Sequence, residues 1–286
     1  MLIDNKIILH LTNQAIKQSQ LKNEVKAFYS QKVNGAFDFW NNNDNQKAIE
    51  EISLVLNILP DLNILLIAKA LFYSSSKNPQ QSNQIIGKIS SNEATDLELN
   101  MIDFIQSCNF LHVKDYEGAI KTSTNIISRD HKAYYAYLPR AVAYQEINDQ
   151  KSAIKDFKMA LKEKLQTKGI KAGLAFSYMK NKNYFRGLYL HLKVIKHFND
   201  NFRVNHNIGI NYFMLNLSRK ALFHINRSIE LKKDFADAYR TRGLIYMNQG
   251  KNKLAYEELL KAKKYGARDI DNTMLRFQNK LKKYET

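Results

Sequence analysis

The sequence predicts an all-α solenoid of antiparallel helix pairs, and three observations support this prediction. The 286 residues include only 3 prolines and 10 glycines, and so few helix-breaking residues favour helices. Hydrophobic residues make up 44% of the chain, which is ample for a core. The third observation is a sequence period of 34 residues. A fixed period of this length is typical of stacked repeats, each of which is one small supersecondary unit.

Three positions carry the period, in the order small, aromatic, small. In the segment AYRTRGLIYMNQGKNKLAYEELLKAKKYGA they are Gly243, Tyr246 and Ala255. Steps of 34 residues find the same classes in five units, and in two more beyond three extra residues near 90–96. The aromatic column is Phe39, Tyr73, Phe110, Tyr144, Tyr178, Tyr212 and Tyr246. Because residues three apart share a helical face, the small residue admits a neighbouring helix and we expect the aromatic in the core beside it.

This pattern assigns each element in turn. Every unit has a first helix with the small and aromatic residues, a polar turn such as NQGKN, and a second helix that starts with a small residue. One pair cannot bury its apolar face alone, so stacking builds the core. We expect an N-terminal helical cap in 1–28 and a C-terminal capping helix in 270–286. The seven units of 29–269 are predicted at 29–62, 63–99, 100–133, 134–167, 168–201, 202–235 and 236–269.

The pattern resembles the tetratricopeptide repeat, a 34-residue helix–turn–helix with Gly then Tyr in its first helix. The last unit matches that family with Gly243, Tyr246, Ala255, Leu259 and Ala262. The fourth unit matches it with Ala141, Tyr144, Ala153, Phe157 and Ala160. No unit has the family's early Trp, and the second unit departs around SSSKNPQQSN. The resemblance implies a right-handed superhelix whose first helices line a concave groove, and a protein-interaction scaffold or adaptor with no enzymatic activity.

The position after the first small residue would face that groove, and it is apolar in every unit. This groove column is Phe37, Leu71, Cys108, Val142, Phe176, Ile210 and Leu244. Family members that grip an acidic C-terminal peptide have Asn there, so that clamp is absent. We expect the groove to bind a helix or extended segment of a partner protein. Alternatively, the column packs between first helices or beneath the chain's own N-terminal segment. The candidate groove residues are Phe104, Cys108, Leu138, Val142, Phe176, Met179, Arg203, Ile210, Phe213, Arg240, Leu244 and Met247.

Charge is distributed unevenly along the chain. The net charge is +17, yet residues 1–150 hold 14 Lys/Arg against 16 Asp/Glu, whereas residues 151–286 hold 30 against 11. Such asymmetry indicates an acidic or anionic partner, and nucleic acid is one possibility. The candidate basic patch is Lys261, Lys263, Lys264 and Arg268. The alternatives are an RNA-binding or structural subunit of a larger assembly, a peptide sensor or chaperone, and a charge that serves solubility alone.

Motifs for catalysis, metals or cofactors are absent from the sequence, so we expect no enzyme and no cofactor. His191 and His197 are six residues apart, which does not suit a helical metal pair, and Cys108 lies in the groove column as a small apolar residue. This single cysteine favours a reducing compartment, so we expect the cytoplasm, or an organelle if a transit peptide has been removed. The longest apolar run, 62–73, is too short to span a membrane.

Overall fold

The computed structural model describes residues 5–90, 94–162, 167–195, 201–267 and 270. Within this part of the chain there are fifteen α-helices, one short 3-10 helix at Tyr134–Ala136 and no strand, which confirms the all-α prediction. The helices are α1 (Asn5–Gln18), α2 (Asn23–Asn41), α3 (Asn45–Leu56), α4 (Asn63–Ser75), α5 (Pro79–Ile86), α6 (Asp96–His112), α7 (Tyr116–Arg129), α8 (Tyr137–Glu146), α9 (Gln150–Ala160), α10 (Thr167–Lys180), α11 (Tyr184–Ile195), α12 (Phe202–Met214), α13 (Ser218–Leu231), α14 (Ala236–Asn248) and α15 (Asn252–Lys264).

The helices form two compact units, which we call unit 1 (1–167) and unit 2 (168–286). Unit 1 contains α1–α9, and unit 2 contains α11–α15 with nearly all of α10. Within each unit, helices contact their sequence neighbours: α2 packs on α3, α3 on α4, α12 on α13, and α13 on α14. The first helix of one repeat also contacts the first helix of the next repeat, as α4 contacts α6. Apart from α1, which also contacts α4, this packing of each helix on its neighbours along the stack is that of a helical solenoid.

The turn between the two helices of a repeat has the same design in seven places. Each contains one residue with a φ between 59° and 72°: Asn43, Lys77, Lys114, Asn148, Lys182, Asn216 and Gly250. These residues are 34 apart, except that Lys114 follows Lys77 by 37. In all seven turns, the backbone N–H five residues after the column aromatic donates to its carbonyl, with N···O distances of 2.8–3.0 Å. The structure therefore reproduces the period and its single three-residue insertion.

Side-chain caps secure most of the second helices. In five of them the residue before the helix accepts a hydrogen bond from the N–H three residues later: Asp44, Asn78, Asp115, Asp149 and Asn183. The equivalent positions before α13 and α15 are Leu217 and Lys251, which make no such bond. A cap of this kind stabilises a helix by about 1 kcal/mol. The first turns of α13 and α15 are consequently the less firmly held.

Small residues set the approach of the two helices in a repeat, as predicted. Ala221 and Ala255 are fully buried. A Cβ added to Gly209 would lie 3.3 Å from the Ala221 carbonyl oxygen, and one added to Gly243 would lie 3.2 Å from that of Ala255. A larger side chain at either glycine would therefore force the helices apart.

The aromatic column is less buried than we expected from the sequence. Only Tyr178 is buried, and the other six rings keep partial exposure. Because the column ends the first helix beside the turn, its rings lie at the edge of the packed layer. Several contact cations across the turn: Lys47 lies over Phe39 at 5.4 Å, and Lys220 over Tyr212 at 5.7 Å.

Arg140 forms a buried ion pair that ties three helices together in the last repeat of unit 1. Its Nε and Nη2 donate to the carboxylate of Asp156 on α9 at 2.7 and 3.0 Å. Its Nη1 donates to Thr124 Oγ1 on α7 at 3.0 Å. Asp156 is only 2% exposed, so this carboxylate depends on Arg140 for its partner. We call this arrangement an arginine clamp.

A second arginine clamp recurs three repeats later, in the last repeat of unit 2. Arg242 Nε donates to Glu258 on α15 at 2.8 Å, and its Nη1 donates to Asn226 on α13 at 2.8 Å. In the repeat that follows the first clamp, the equivalent positions are Leu174 and Leu190. The sequence pattern did not predict these clamps. In both repeats an Arg is followed sixteen residues later by an acidic residue, and this spacing would have indicated them.

The ends and boundaries of the repeats differ in detail from the predicted ranges. α2 begins at Asn23, inside the segment assigned to the N-terminal cap. α6 begins at Asp96 rather than at 100, because Thr95 and Glu98 form a capping box that starts the helix there. At the other end, Ile270 is buried against Tyr239 and Leu259 of the last repeat. The predicted capping helix at 270–286 otherwise lies outside the described residues.

Candidate functional site

The first-helix face of unit 1, formed by α2, α4, α6 and α8, is partly covered by the chain itself. α1 packs against α2 and α4. Its Ile8 and Ile16 are fully buried in the same apolar cluster as Phe37 and Leu71, which are 1% and 3% exposed. The start of the groove column is therefore core beneath the N-terminal segment, which is the alternative that the sequence left open.

The candidate groove residues of unit 1 fall into two groups. Cys108, Leu138 and Val142 are partly exposed. Phe104 is buried and packs edge-to-face on Tyr135, with ring centroids 5.5 Å apart. A buried ring offers no surface to a partner, so Phe104 does not belong to an accessible groove.

The first-helix face of unit 2, formed by α10, α12 and α14, carries an apolar strip that is not fully covered. Met179 is buried, so like Phe104 it offers no surface to a partner and does not belong to an accessible groove. Arg203 and Arg240 are exposed beside this strip, and Arg240 Nη2 pairs with Asp237 at 2.9 Å. The partly exposed residues of the strip are Phe176, Ile210, Phe213, Leu244 and Met247. We call this set the unit 2 strip.

The basic patch predicted at the end of unit 2 is partly neutralised. Lys261 Nζ pairs with Glu258 at 2.9 Å, and Lys264 Nζ lies 6.0 Å from the centre of the Tyr265 ring. Lys263 and Lys264 are exposed on α15. Arg268 lies outside the described residues. The patch is thus a solvated face of one helix, and the structure does not gather its lysines around a pocket.

Cys108 is poorly suited to act as a nucleophile. Although the residue keeps some surface, it packs against the large apolar cluster of unit 1, and burial raises the pKa of its thiol to about 12. The thiol is protonated at neutral pH, whereas the thiolate is the reactive form. This agrees with its interpretation as a small apolar side chain.

Two histidines of unit 2 lie in the core rather than at a surface site. His191 is within 3.4 Å of Asn211, and His206 Nε2 lies 2.9 Å from Thr241 Oγ1. Burial lowers the pKa of His191 to about 4. Burial also lowers the pKa of His206 to about 4, against the opposing effect of nearby Asp237. Each imidazole is therefore neutral in the folded protein above this pH.

Unit 2 should lose stability as the pH falls from 7 to 4. The unfolded chain protonates His191 and His206 below about pH 6.5, whereas the folded chain does so only near pH 4, so acid favours unfolding. The loss should reach roughly 2–3 kcal/mol for each histidine. Urea unfolding by circular dichroism across this range measures it. His191→Gln/His206→Gln should flatten the profile, and an unchanged profile in this double variant would contradict the assignment.

A cavity of about 510 Å³ lies beside the shortened second helix of the second repeat. α5 has only 8 residues, so it leaves part of α4 uncovered next to the loop after α3. Lys69 and Lys88 both line the cavity together with Asp61. Burial and the charge of Lys88 lower the pKa of Lys69. The sequence predicted that this repeat is irregular, but it did not predict the cavity.

Groups of His, Cys, Asp and Glu that could hold a metal ion are not found among the described residues. Across the same residues, no helix has both the length and the apolar character needed to cross a bilayer.

Comparison with known structures places the fold among helical repeat proteins. A tetratricopeptide repeat protein from Parabacteroides merdae superposes with a TM-score of 0.53 at 16% identity, over 87% of this chain and 98% of that one. The MamA protein gives 0.51 at 18% identity, over 59% and 92%. YrrB, a TPR protein with an unusual peptide-binding site, gives 0.52 at 17% identity, over 66% and 93%. No protein-family model and no curated protein matches the sequence.

Proposed function

We propose that this chain, which has the tetratricopeptide-repeat fold, is a non-enzymatic interaction scaffold whose unit 2 strip binds an amphipathic helix or extended apolar segment of a partner protein. The sequence predicted a groove along all the first helices, and the proposed binding site is narrower because it comprises the unit 2 strip alone. The solved neighbours share the fold, and one of them has a peptide-binding site.

The observation that carries this proposal is the packing of α1. α1 is an amphipathic helix that lays Ile8, Thr12 and Ile16 onto the first-helix face, and all three are fully buried. These residues recur every four positions, so they form one stripe along the helix. The first-helix face of this chain therefore accepts an amphipathic helix in unit 1, and an apolar face of the same kind lies on the first helices of unit 2.

The side chains of the unit 2 strip suit an apolar partner and can adapt to its shape. It combines aromatic, aliphatic and methionine side chains, and methionine adjusts readily to different surfaces. Arg203 and Arg240 flank the strip, so acidic residues beside the partner's apolar stripe would be favoured.

Single carboxylates in the strip should abolish partner capture while the protein remains folded. In Phe176→Asp or Ile210→Asp the new carboxylate keeps its water in the free protein, but a partner's apolar face would have to desolvate it. The measurement is a pull-down from the source cells with quantitative mass spectrometry, alongside thermal melts followed by circular dichroism.

Two control variants make the result specific. Leu254→Asp puts a carboxylate at an exposed apolar site on α15 and should leave capture unchanged. Leu71→Asp lies in the same column but under α1, so it should unfold unit 1. Unfolding of Phe176→Asp and Ile210→Asp would show that the strip is core, and undiminished capture by both would show that the partner binds elsewhere.

The dependence of binding on ionic strength distinguishes this function from nucleic-acid binding, the alternative suggested by the basic half of the chain. Binding to an apolar strip should change little with salt, whereas nucleic-acid binding weakens steeply as phosphate counterions are released. Capture that disappears at high salt and survives both Asp substitutions would favour an RNA-binding or assembly role for the basic half.

A further inference from the structure

The second helices of unit 2 present an apolar surface that the interaction groove does not use. Phe185, Tyr189 and Leu192 follow one another at helical spacing along the outside of α11. Phe185 is 74% exposed and Tyr189 is 53% exposed. On α13, Phe223 is 69% exposed at the position equivalent to Tyr189 in the next repeat. Side chains this large and this exposed are costly in water, and contiguous sets of them mark interaction surfaces.

Cations surround this surface. Arg186 and Lys193 lie on α11 and Arg219 and Lys220 in the first turn of α13, and all four are exposed. Lys193 Nζ is 4.4 Å from the centre of the Tyr189 ring. In the sequence, residues 164–229 contain twelve Lys/Arg and a single acid, Asp200. The charge of the surface is therefore complementary to an anionic partner.

We propose that this aromatic–basic face docks unit 2 onto an anionic lipid bilayer surface. The apolar side chains enter the headgroup region while the flanking Lys and Arg contact anionic headgroups, as at other interfacial helices that combine aromatic and basic residues. The protein binds peripherally, because insertion involves side chains and not a spanning helix. This surface lies on second helices, whereas the unit 2 strip lies on first helices. Docking on the bilayer therefore does not occupy the strip.

The shape of the surface favours lipid over the other anionic partners. Phe185 and Phe223 protrude, and a protruding side chain enters a deformable medium without a complementary pocket. Lys193 already lies over Tyr189, on a ring face where a nucleotide base would have to stack. Leu192 is aliphatic and adds apolar area but no stacking face.

Vesicle flotation tests the proposal directly. The full chain should float with phosphatidylcholine vesicles that contain phosphatidylglycerol as the anionic lipid, and not with pure phosphatidylcholine. Two double variants each remove two of the proposed anchoring groups: Phe185→Ser/Phe223→Ser and Lys193→Glu/Arg219→Glu. Each should lower partitioning into the anionic vesicles at least tenfold, which is about the effect expected for the loss of two such groups. Lys263→Glu/Lys264→Glu makes the same charge change on α15 and should have a much smaller effect.

A second readout follows insertion without removing an anchor. The single Trp of the chain, Trp40, is buried in unit 1, so Phe185→Trp adds an exposed reporter on the proposed surface. Its emission should shift to the blue with anionic vesicles and not with neutral ones. The proposal is overturned if the wild-type chain does not float, if the α15 variant loses binding as strongly as the others, if Phe185→Trp shows no shift, or if only poly(U) binding responds to the variants.

Discussion

Arg140→Leu is expected to destabilise unit 1 by about 3–5 kcal/mol, because it leaves the buried Asp156 carboxylate without its partner. Asp156 accepts two hydrogen bonds from Arg140 and is almost completely buried. Without the guanidinium, the folded state must either hold an unpaired charge or protonate it. Urea unfolding followed by Trp40 fluorescence reports unit 1 alone, since this is the only tryptophan of the chain.

The protein itself suggests the compensating variant. In the next repeat the same two positions hold Leu174 and Leu190, an apolar pair in place of the ions. Arg140→Leu/Asp156→Leu copies that pair and should regain most of the lost stability, because it removes the buried charge. Arg242→Leu lies in unit 2, where urea unfolding is followed by circular dichroism instead, and it should cost less than Arg140→Leu because Lys261 still pairs with Glu258. If the single and double Arg140 variants melted alike, the clamp would have no role beyond packing.

Ala221→Trp should destabilise unit 2 by roughly 3 kcal/mol, the upper end of what overpacking costs. Ala221 is fully buried where α13 crosses α12, and its carbonyl oxygen is 3.3 Å from a Cβ placed on Gly209. An indole has no room there unless the helices separate. Ala153→Trp makes the equivalent change in unit 1 and should have a similar effect. Thermal melts by circular dichroism measure both.

The matched control for this change lies two residues away. Phe223→Trp introduces the same side chain on α13 at a highly exposed site and should leave the melting temperature nearly unchanged. A wild-type melting curve for Ala221→Trp would mean that α13 does not pack on α12 through this face.

The sequence allowed the fold to be predicted because one period governs its local structure. The small residues, the aromatics and the turns recur together, so locating Gly243, Tyr246 and Gly250 also located their equivalents in earlier repeats. Depth of burial was not predictable in this way. The period fixes which side chains share a face, but the neighbouring elements decide how far they are covered, and Phe104 and Met179 are buried for that reason.

Features that occur outside the period could not be predicted from it. α1 has no equivalent in the repeats, so its position over Phe37 and Leu71 required the structure. The arginine clamps occur in two repeats of the seven, and their partners sit on helices that the sequence pattern treats as ordinary. The exposed Phe185 and Phe223 vary from repeat to repeat, and only the structure identifies them as surface.

The packing of α1 also sets a length scale for the partner segment. α1 has 14 residues, which correspond to about 21 Å of helix at 1.5 Å per residue, and this is enough to reach from α2 across α4. Unit 2 offers three first helices, and packed helices are spaced by about 8–10 Å. A segment that crosses all three must span about 20–30 Å, so a partner helix needs about 14 to 20 residues. Shorter apolar motifs would engage only two of the three helices, and the first-helix face would thereby select its partners by length as well as by composition.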